Sequence, residues 1–124
     1  MYKIVVDANS KIIYITIAGQ TTTDEVRAGT MEINDLLLQF EAKEFSILIS
    51  AERLDPISQD SIPLIQESMK FVIERANKIA AVHKRVITMM QMRRIEKKTF
   101  NNEGLRDRIA RFNSAKEALA YIKE

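Results

Sequence analysis

The chain has no cysteine and no tryptophan, and only two prolines, three glycines and one histidine among its 124 residues. The lack of cysteine excludes a disulfide framework, a thiolate metal site and a cysteine nucleophile, and it fits a reducing compartment. The glycines, Gly19, Gly29 and Gly104, lie far apart, so neither common glycine-rich phosphate loop can be assembled and nucleotide hydrolysis has no visible machinery. No Pro/Gly/Ser-rich stretch, repeat or low-complexity tract divides the chain. Apolar runs are short as well. None reaches the length of a transmembrane helix, and Met1 to Asp7 lacks the basic segment and long apolar run of a signal peptide. The expectation is a cytoplasmic protein with no transmembrane segment.

The composition is 46% hydrophobic and 29% charged, the balance of an ordered globular domain and not of a disordered chain. A chain of this length buries roughly two-thirds of the surface its unfolded form exposes, so residues 1–124 are expected to fold as a single domain. The net charge of +2 is unevenly placed. Residues 1–69 carry 5 Lys+Arg against 11 Asp+Glu, a net −6, and residues 70–124 carry 14 against 6, a net +8. One compact domain folds these halves together, which favours interspersed charge over separate acidic and basic faces.

Periodicity supplies the elements. Tyr2 to Val6 and Ile12 to Ile17 are β-branched and aromatic-rich around the turn residues Asp7-Ala8-Asn9-Ser10, which predicts a β-hairpin. Thr22-Thr23-Asp24-Glu25 fits a capping box and opens a helix whose stripe is Val26, Ile33, Leu37 and Phe40, expected to end near Lys43. Phe45 to Ser50 reads as a central strand. The loop Asp55 to Pro63 leads to a second helix with the stripe Ile65, Met69, Val72, Ala76 and Ile79, running without a breaker to about Ala80. Val86 to Met90 predicts a further strand, and Arg93 to Phe100 a short polar helix stopped at Asn101-Asn102-Glu103-Gly104. Arg108 to Phe112 alternates like an edge strand, and Ser114-Ala115-Lys116-Glu117 is a second capping box for a terminal helix to Lys123. The fold class is therefore α/β: a single mixed β-sheet with helices packed against it, in the order ββαβαβαβα.

This order resembles the sulfate-transporter and anti-sigma-factor-antagonist (STAS) domain, particularly its small stand-alone bacterial relatives. The resemblance is carried by the strand Phe45 to Ser50 leading into a loop with Asp60-Ser61 before a helix, by Lys78-Ile79-Ala80-Ala81-Val82, and by the ending Arg111 to Ile122. It implies a non-catalytic regulatory or scaffolding module that binds a protein partner. In regulatory members of that family, the serine after Asp-Ser is phosphorylated, adding close to two negative charges at a helix N-terminus. Here that position holds Ile62, and the family's following glycine is Pro63, so the phospho-switch loop is degenerate. Ser58 and Ser61 are expected to serve as capping or turn residues.

The expected partner surface is the loop with the exposed side of the next helix: Ser58, Asp60, Ser61, Leu64 and Phe71, the last two lying off the helix stripe. A basic cluster, Arg93, Arg94, Lys97 and Lys98, followed by Arg106, Arg108 and Arg111, is the candidate for anion contact. It includes Glu96 and little aromatic interleaving, which favours a solvated helix face and speaks against nucleic acid. His83 reads as an ordinary surface histidine, since its spacing supplies neither an orienting acid nor a nucleophile. Asp24, Glu25, Glu32 and Asp35 keep the first helix soluble and do not form a metal site. No catalytic residue, metal or cofactor is expected. The alternative function is a small anionic-ligand or lipid-binding protein with an apolar cleft and the basic stretch at its mouth.

Overall fold

A computed structural model describes residues 1–124. The hairpin forms as β1 (Tyr2–Asp7) and β2 (Ile12–Gly19), and helix α1 (Thr23–Gln39) follows. Strand β3 (Ser46–Leu54) leads through a single 3₁₀ turn at Gln59–Ser61 into α2 (Ile62–Arg75). Strand β4 (Ile79–Val82), helix α3 (Val86–Thr99), the one-turn α4 (Glu103–Arg106), β5 (Ile109–Phe112) and α5 (Ala115–Lys123) complete the chain. The sheet order is β1-β2-β3-β4-β5, antiparallel between β1 and β2 and parallel elsewhere.

Both faces of this sheet are covered, so its central strands are continuous apolar runs and not alternating ones. Neighbouring residues point opposite ways. Ile13, Ile47 and Ile79 join Leu37 and Ile73 in the core beneath α1 and α2, while the adjacent Ile12, Leu48 and Ala80 pack with Ala118 and Ile122 of α5. A one-residue slip in β3 would exchange these two clusters.

The Thr22–Glu25 capping box is formed as expected, with the Thr22 hydroxyl accepting from the Glu25 backbone and Glu25 accepting from the Thr22 backbone. At the start of α5 only half of the expected second box forms: Ser114 accepts from the Glu117 backbone without the reciprocal bond from Ser114 to the Glu117 carboxylate.

Four sequence expectations are corrected. Helix α1 ends at Gln39, short of Lys43, because Phe40 is extended and Arg75 donates to the Leu37 and Phe40 carbonyls. Helix α2 stops at Arg75, before Ala80. Asn77 donates to the Phe45 carbonyl and Lys78 accepts from Ile47, so the chain is already pairing with β3, and Ile79 to Val82 become a buried strand. Val86 to Met90 is not a strand but the first half of α3. Its inward positions are Thr88, Met92, Ile95 and Glu96, spaced for a helix, and two of them are polar. Asn101 to Gly104 is not only a stop: Asn102 accepts from the Gly104 backbone and opens α4. The order ββαβαβαβα still holds apart from this added turn, because the fourth strand and third helix have each taken residues assigned to their neighbour.

Candidate functional site

Helix α3 has two contrasting sides. Its inward side pins the β3–α2 loop. Gln91 bonds both the backbone N–H and the carbonyl of Ile57, each at 2.7 Å, and Thr88 donates to the Leu54 carbonyl at 2.8 Å. Arg85 pairs with Asp55, and Lys84 stands 3.4 Å from Glu52. The outward side begins with Val86, Ile87 and Met90, which are 63%, 71% and 53% exposed. These three neighbours in space sit beside the pinned loop.

That loop places the expected partner residues unequally. Ser58 and Asp60 are exposed. Ser61 is fully enclosed, its hydroxyl 3.0 Å from that of Ser58 and 3.3 Å from that of Thr23, so it cannot itself meet a partner. It is the N-cap residue of α2 but makes no capping bond through its side chain. Leu64 is half-buried, and Phe71 is half-buried against the main core cluster.

Beneath α3 lies a buried ionic group that the sequence did not announce. His83 follows β4 and is 6% exposed, which corrects its reading as a surface histidine. The β4–β5 register sets Arg111 opposite Ala81, and its guanidinium lies 2.7 Å from His83 Nε2 while pairing with Glu96 of α3. The side chains of Arg111 and Glu96 are only 12% and 6% exposed. Burial, reinforced by the cationic Arg111, lowers the His83 pKa to about 4, so the imidazole is neutral at pH 7. Burial and the neighbouring Arg93 lower Arg111 to about 10, which leaves it charged.

Arginine can only donate, so His83 Nε2 must accept from Arg111 and the ring proton resides on Nδ1. No protein group accepts from that Nδ1–H. The ionic group forms part of the wall of a cavity of about 140 Å³ between the sheet and helices α1 to α3. The rest of the wall is mostly apolar, including Ile15, Ile49, Ile65, Met69 and Met92. A smaller hollow of about 80 Å³ shares Ile15, Ile17, Ile33 and Ile65 and reaches Tyr2.

Glu96 and Arg111 also line a shallow polar cleft on the outside, together with Arg93, Lys97, Arg106 and Asp107. Of the four clustered basic residues, only Arg93 and Lys97 reach this cleft, joined there by Arg106 and Arg111 from the stretch that follows. Arg94 and Lys98 are exposed but do not line it. Arg108, which follows the cluster in sequence, is not part of it in space, since it donates to the carbonyls of Ile73, Ala76 and Asn77 at the end of α2. Replacing Arg93, Arg94, Lys97 and Lys98 together with glutamine is expected to change unfolding free energy by no more than about 1 kcal/mol, most of it from the helix dipole at Lys97 and Lys98. Urea denaturation would show this. A loss several times larger would mean that the cluster supports the fold.

No group of three or more His, Asp or Glu side chains is placed to hold a metal ion, and no helix is long and apolar enough to cross a membrane. No known family profile and no curated protein matches the chain. Solved structures do. An uncharacterized DUF3478-family protein from Shewanella loihica PV-4, described as having a SpoIIAA-like fold, superposes with a TM-score of 0.71 at 14% identity, covering 98% of this chain and 92% of that one. The anti-sigma factor antagonist SpoIIAA in its unphosphorylated form superposes with a TM-score of 0.65 at 14% identity, covering 99% of this chain and 96% of that one. With its single mixed five-stranded sheet, the chain has the SpoIIAA-like fold, as its resemblance to STAS domains implied.

Proposed function

We propose that the protein is a non-catalytic, cytoplasmic regulatory module that docks a protein partner through the start of α3 and the β3–α2 loop. The observation that carries this reading is the cluster Val86, Ile87 and Met90, three large apolar side chains more than half exposed on one turn of helix. Single exposed apolar residues are ordinary, but a contiguous group beside a loop held at fixed geometry has the makings of an interaction site. Ser58 and Asp60 extend the surface with polar groups, while the enclosed Ser61 holds the loop through its hydroxyl contacts with Ser58 and Thr23. Arg93 and Arg94, exposed one turn further along α3, favour a partner face with an apolar centre and an acidic rim, since Lys84 and Arg85 already meet Glu52 and Asp55. The name of the structural neighbour SpoIIAA, an anti-sigma factor antagonist, supports the same class of function. Ile62 at the switch position argues that binding here is not controlled by phosphate at that residue.

The test is the double variant Ile87→Glu/Met90→Glu. Both side chains are solvent-facing, so the fold should lose about half a kcal/mol or less for each. Affinity for a purified partner, once identified by crosslinking from position 87, is expected to fall at least tenfold, since a few apolar anchors dominate such interfaces. Undiminished binding by the variant, or binding only to phosphatidylglycerol vesicles and to no protein, would refute the proposal.

A further inference from the structure

The docking surface proposed at the start of α3 calls for a partner with an apolar centre and an acidic rim, and helix α1 of the same chain presents one. Resting on that proposed surface, we infer that its partner is a second copy of this chain, which seats the outward side of its α1 on α3 and so builds a head-to-tail assembly. Met31 and Leu38 are 59% and 62% exposed. They lie seven residues apart, two turns of helix, and therefore on one side of α1. Asp35 is exposed between them and Glu32 beside them. Asp24 pairs with Arg27 and Glu25 with the N-terminal ammonium, whereas Glu32 and Asp35 belong to no ion pair.

Charge separates between these two helices and does not intersperse. Over Thr23–Gln39, α1 carries four acids against one arginine, a net −3, and over Val86–Thr99, α3 carries four bases against one glutamate, a net +3. That glutamate, Glu96, is buried, so the exposed charge of α3 is all positive. Arg93, Arg94, Lys97 and Lys98 form no ion pair within the chain. Each helix thus offers exposed apolar side chains with unmatched charge of one sign, and the signs are opposite. Helix α2 packs between α1 and α3, so one copy cannot bring its own two surfaces together. Pairing α1 with α1, or α3 with α3, would set like charges against each other, which favours the unlike contact. Because the two surfaces differ, every contact leaves one of each kind free, and association continues past a dimer.

Sedimentation velocity of the full chain tests this. In about 20 mM salt, where surface charges are little screened, the average mass of the wild type is expected to rise with concentration past that of a dimer, and about 0.5 M salt should weaken the association. Met31→Lys/Leu38→Lys spoils the α1 side and leaves α3 intact, and Ile87→Glu/Met90→Glu does the reverse. All four side chains are exposed, so both variants should keep the urea transition of the wild type. Each variant alone is expected to associate at least tenfold more weakly than the wild type. Mixed in equal amounts, they retain one complementary pair of surfaces and should form a 1:1 dimer that grows no further. A wild type that stays monomeric at about 1 mM, or stops at a dimer, would overturn the inference. So would a mixture that fails to pair, or self-association undiminished in either variant. A monomeric wild type that binds a different protein, and loses it with Ile87→Glu/Met90→Glu, would fail this inference alone and leave the docking surface standing.

Discussion

Replacing Arg111 with methionine is expected to destabilise the protein by about 3–5 kcal/mol, because it leaves a buried carboxylate without its counter-charge. Glu96 is 6% exposed at its side chain, and Arg111 is its cationic partner. The same substitution strips His83 Nε2 of its only donor. Arg111→Lys should recover little, since a single ammonium cannot reproduce a planar fork that addresses Glu96 and His83 together. The double variant Glu96→Leu/Arg111→Met should be more stable than Arg111→Met alone, because exchanging both ions for apolar groups removes the desolvation cost along with the attraction. Urea denaturation at pH 7 of the wild type and these variants would give the comparison. If Arg111→Met costs less than about 1 kcal/mol, within the range of an exposed pair, the ion pair is solvated and the reading fails.

This pair also shows where the sequence stopped being legible. Arg111 and Glu96 lie fifteen positions apart, on a strand and a helix, and only the β4–β5 register with the seating of α3 brings them together. In sequence Glu96 belonged to a charged stretch that fitted a solvated helix face, and Arg111 to an alternating edge strand. Thr88 and Gln91 were hidden for a related reason. They belong to the inward side of α3, and polar residues on an inward stripe erase the apolar period by which a helix is recognised. With that signal weakened, the β-branched Val86 and Ile87 resembled a strand, although both are largely exposed. The missed end of α2 has another origin. No glycine stops it, and its last carbonyls are met instead by Lys43 and Arg108, thirty or more residues away. The parts that local chemistry does encode were readable: the hairpin's turn at Asp7 to Ser10, the Thr22–Glu25 box and the Ser114 cap each depend on residues within a few positions of one another. Of the proposed interaction surface, the loop was legible as a segment anchored at both ends, but the apolar turn beside it was not. Its side chains looked like core until the helix turned them outward.

The single histidine makes one pH effect separately measurable. His83 has its pKa lowered from 6.5 to about 4, first by burial and then by the Arg111 cation. In the fold it is neutral with Nε2 occupied by Arg111, whereas in the unfolded chain it takes up a proton as pH falls below 6.5. The unfolded state therefore binds more protons through this window, and stability must rise with pH there. The contribution is fully present above pH 6.5, declines as pH falls toward 4, and amounts to about 3 kcal/mol across the window. Two carboxylates, Asp7 and Glu25, also have lowered pKa values, Asp7 chiefly from the Ser10 backbone and Glu25 from the Thr22 backbone. Their stabilisation is lost at more acid pH, through the carboxylate range, so the fall between pH 6.5 and 5 belongs to His83. His83→Gln retains an acceptor for Arg111 and cannot ionise, so its stability should be nearly flat over that interval while the wild type loses more than 1 kcal/mol. Urea titrations at half-unit pH steps would compare the two slopes. Parallel curves would mean that the ring gains its proton as readily in the fold as outside it, contrary to its burial against Arg111.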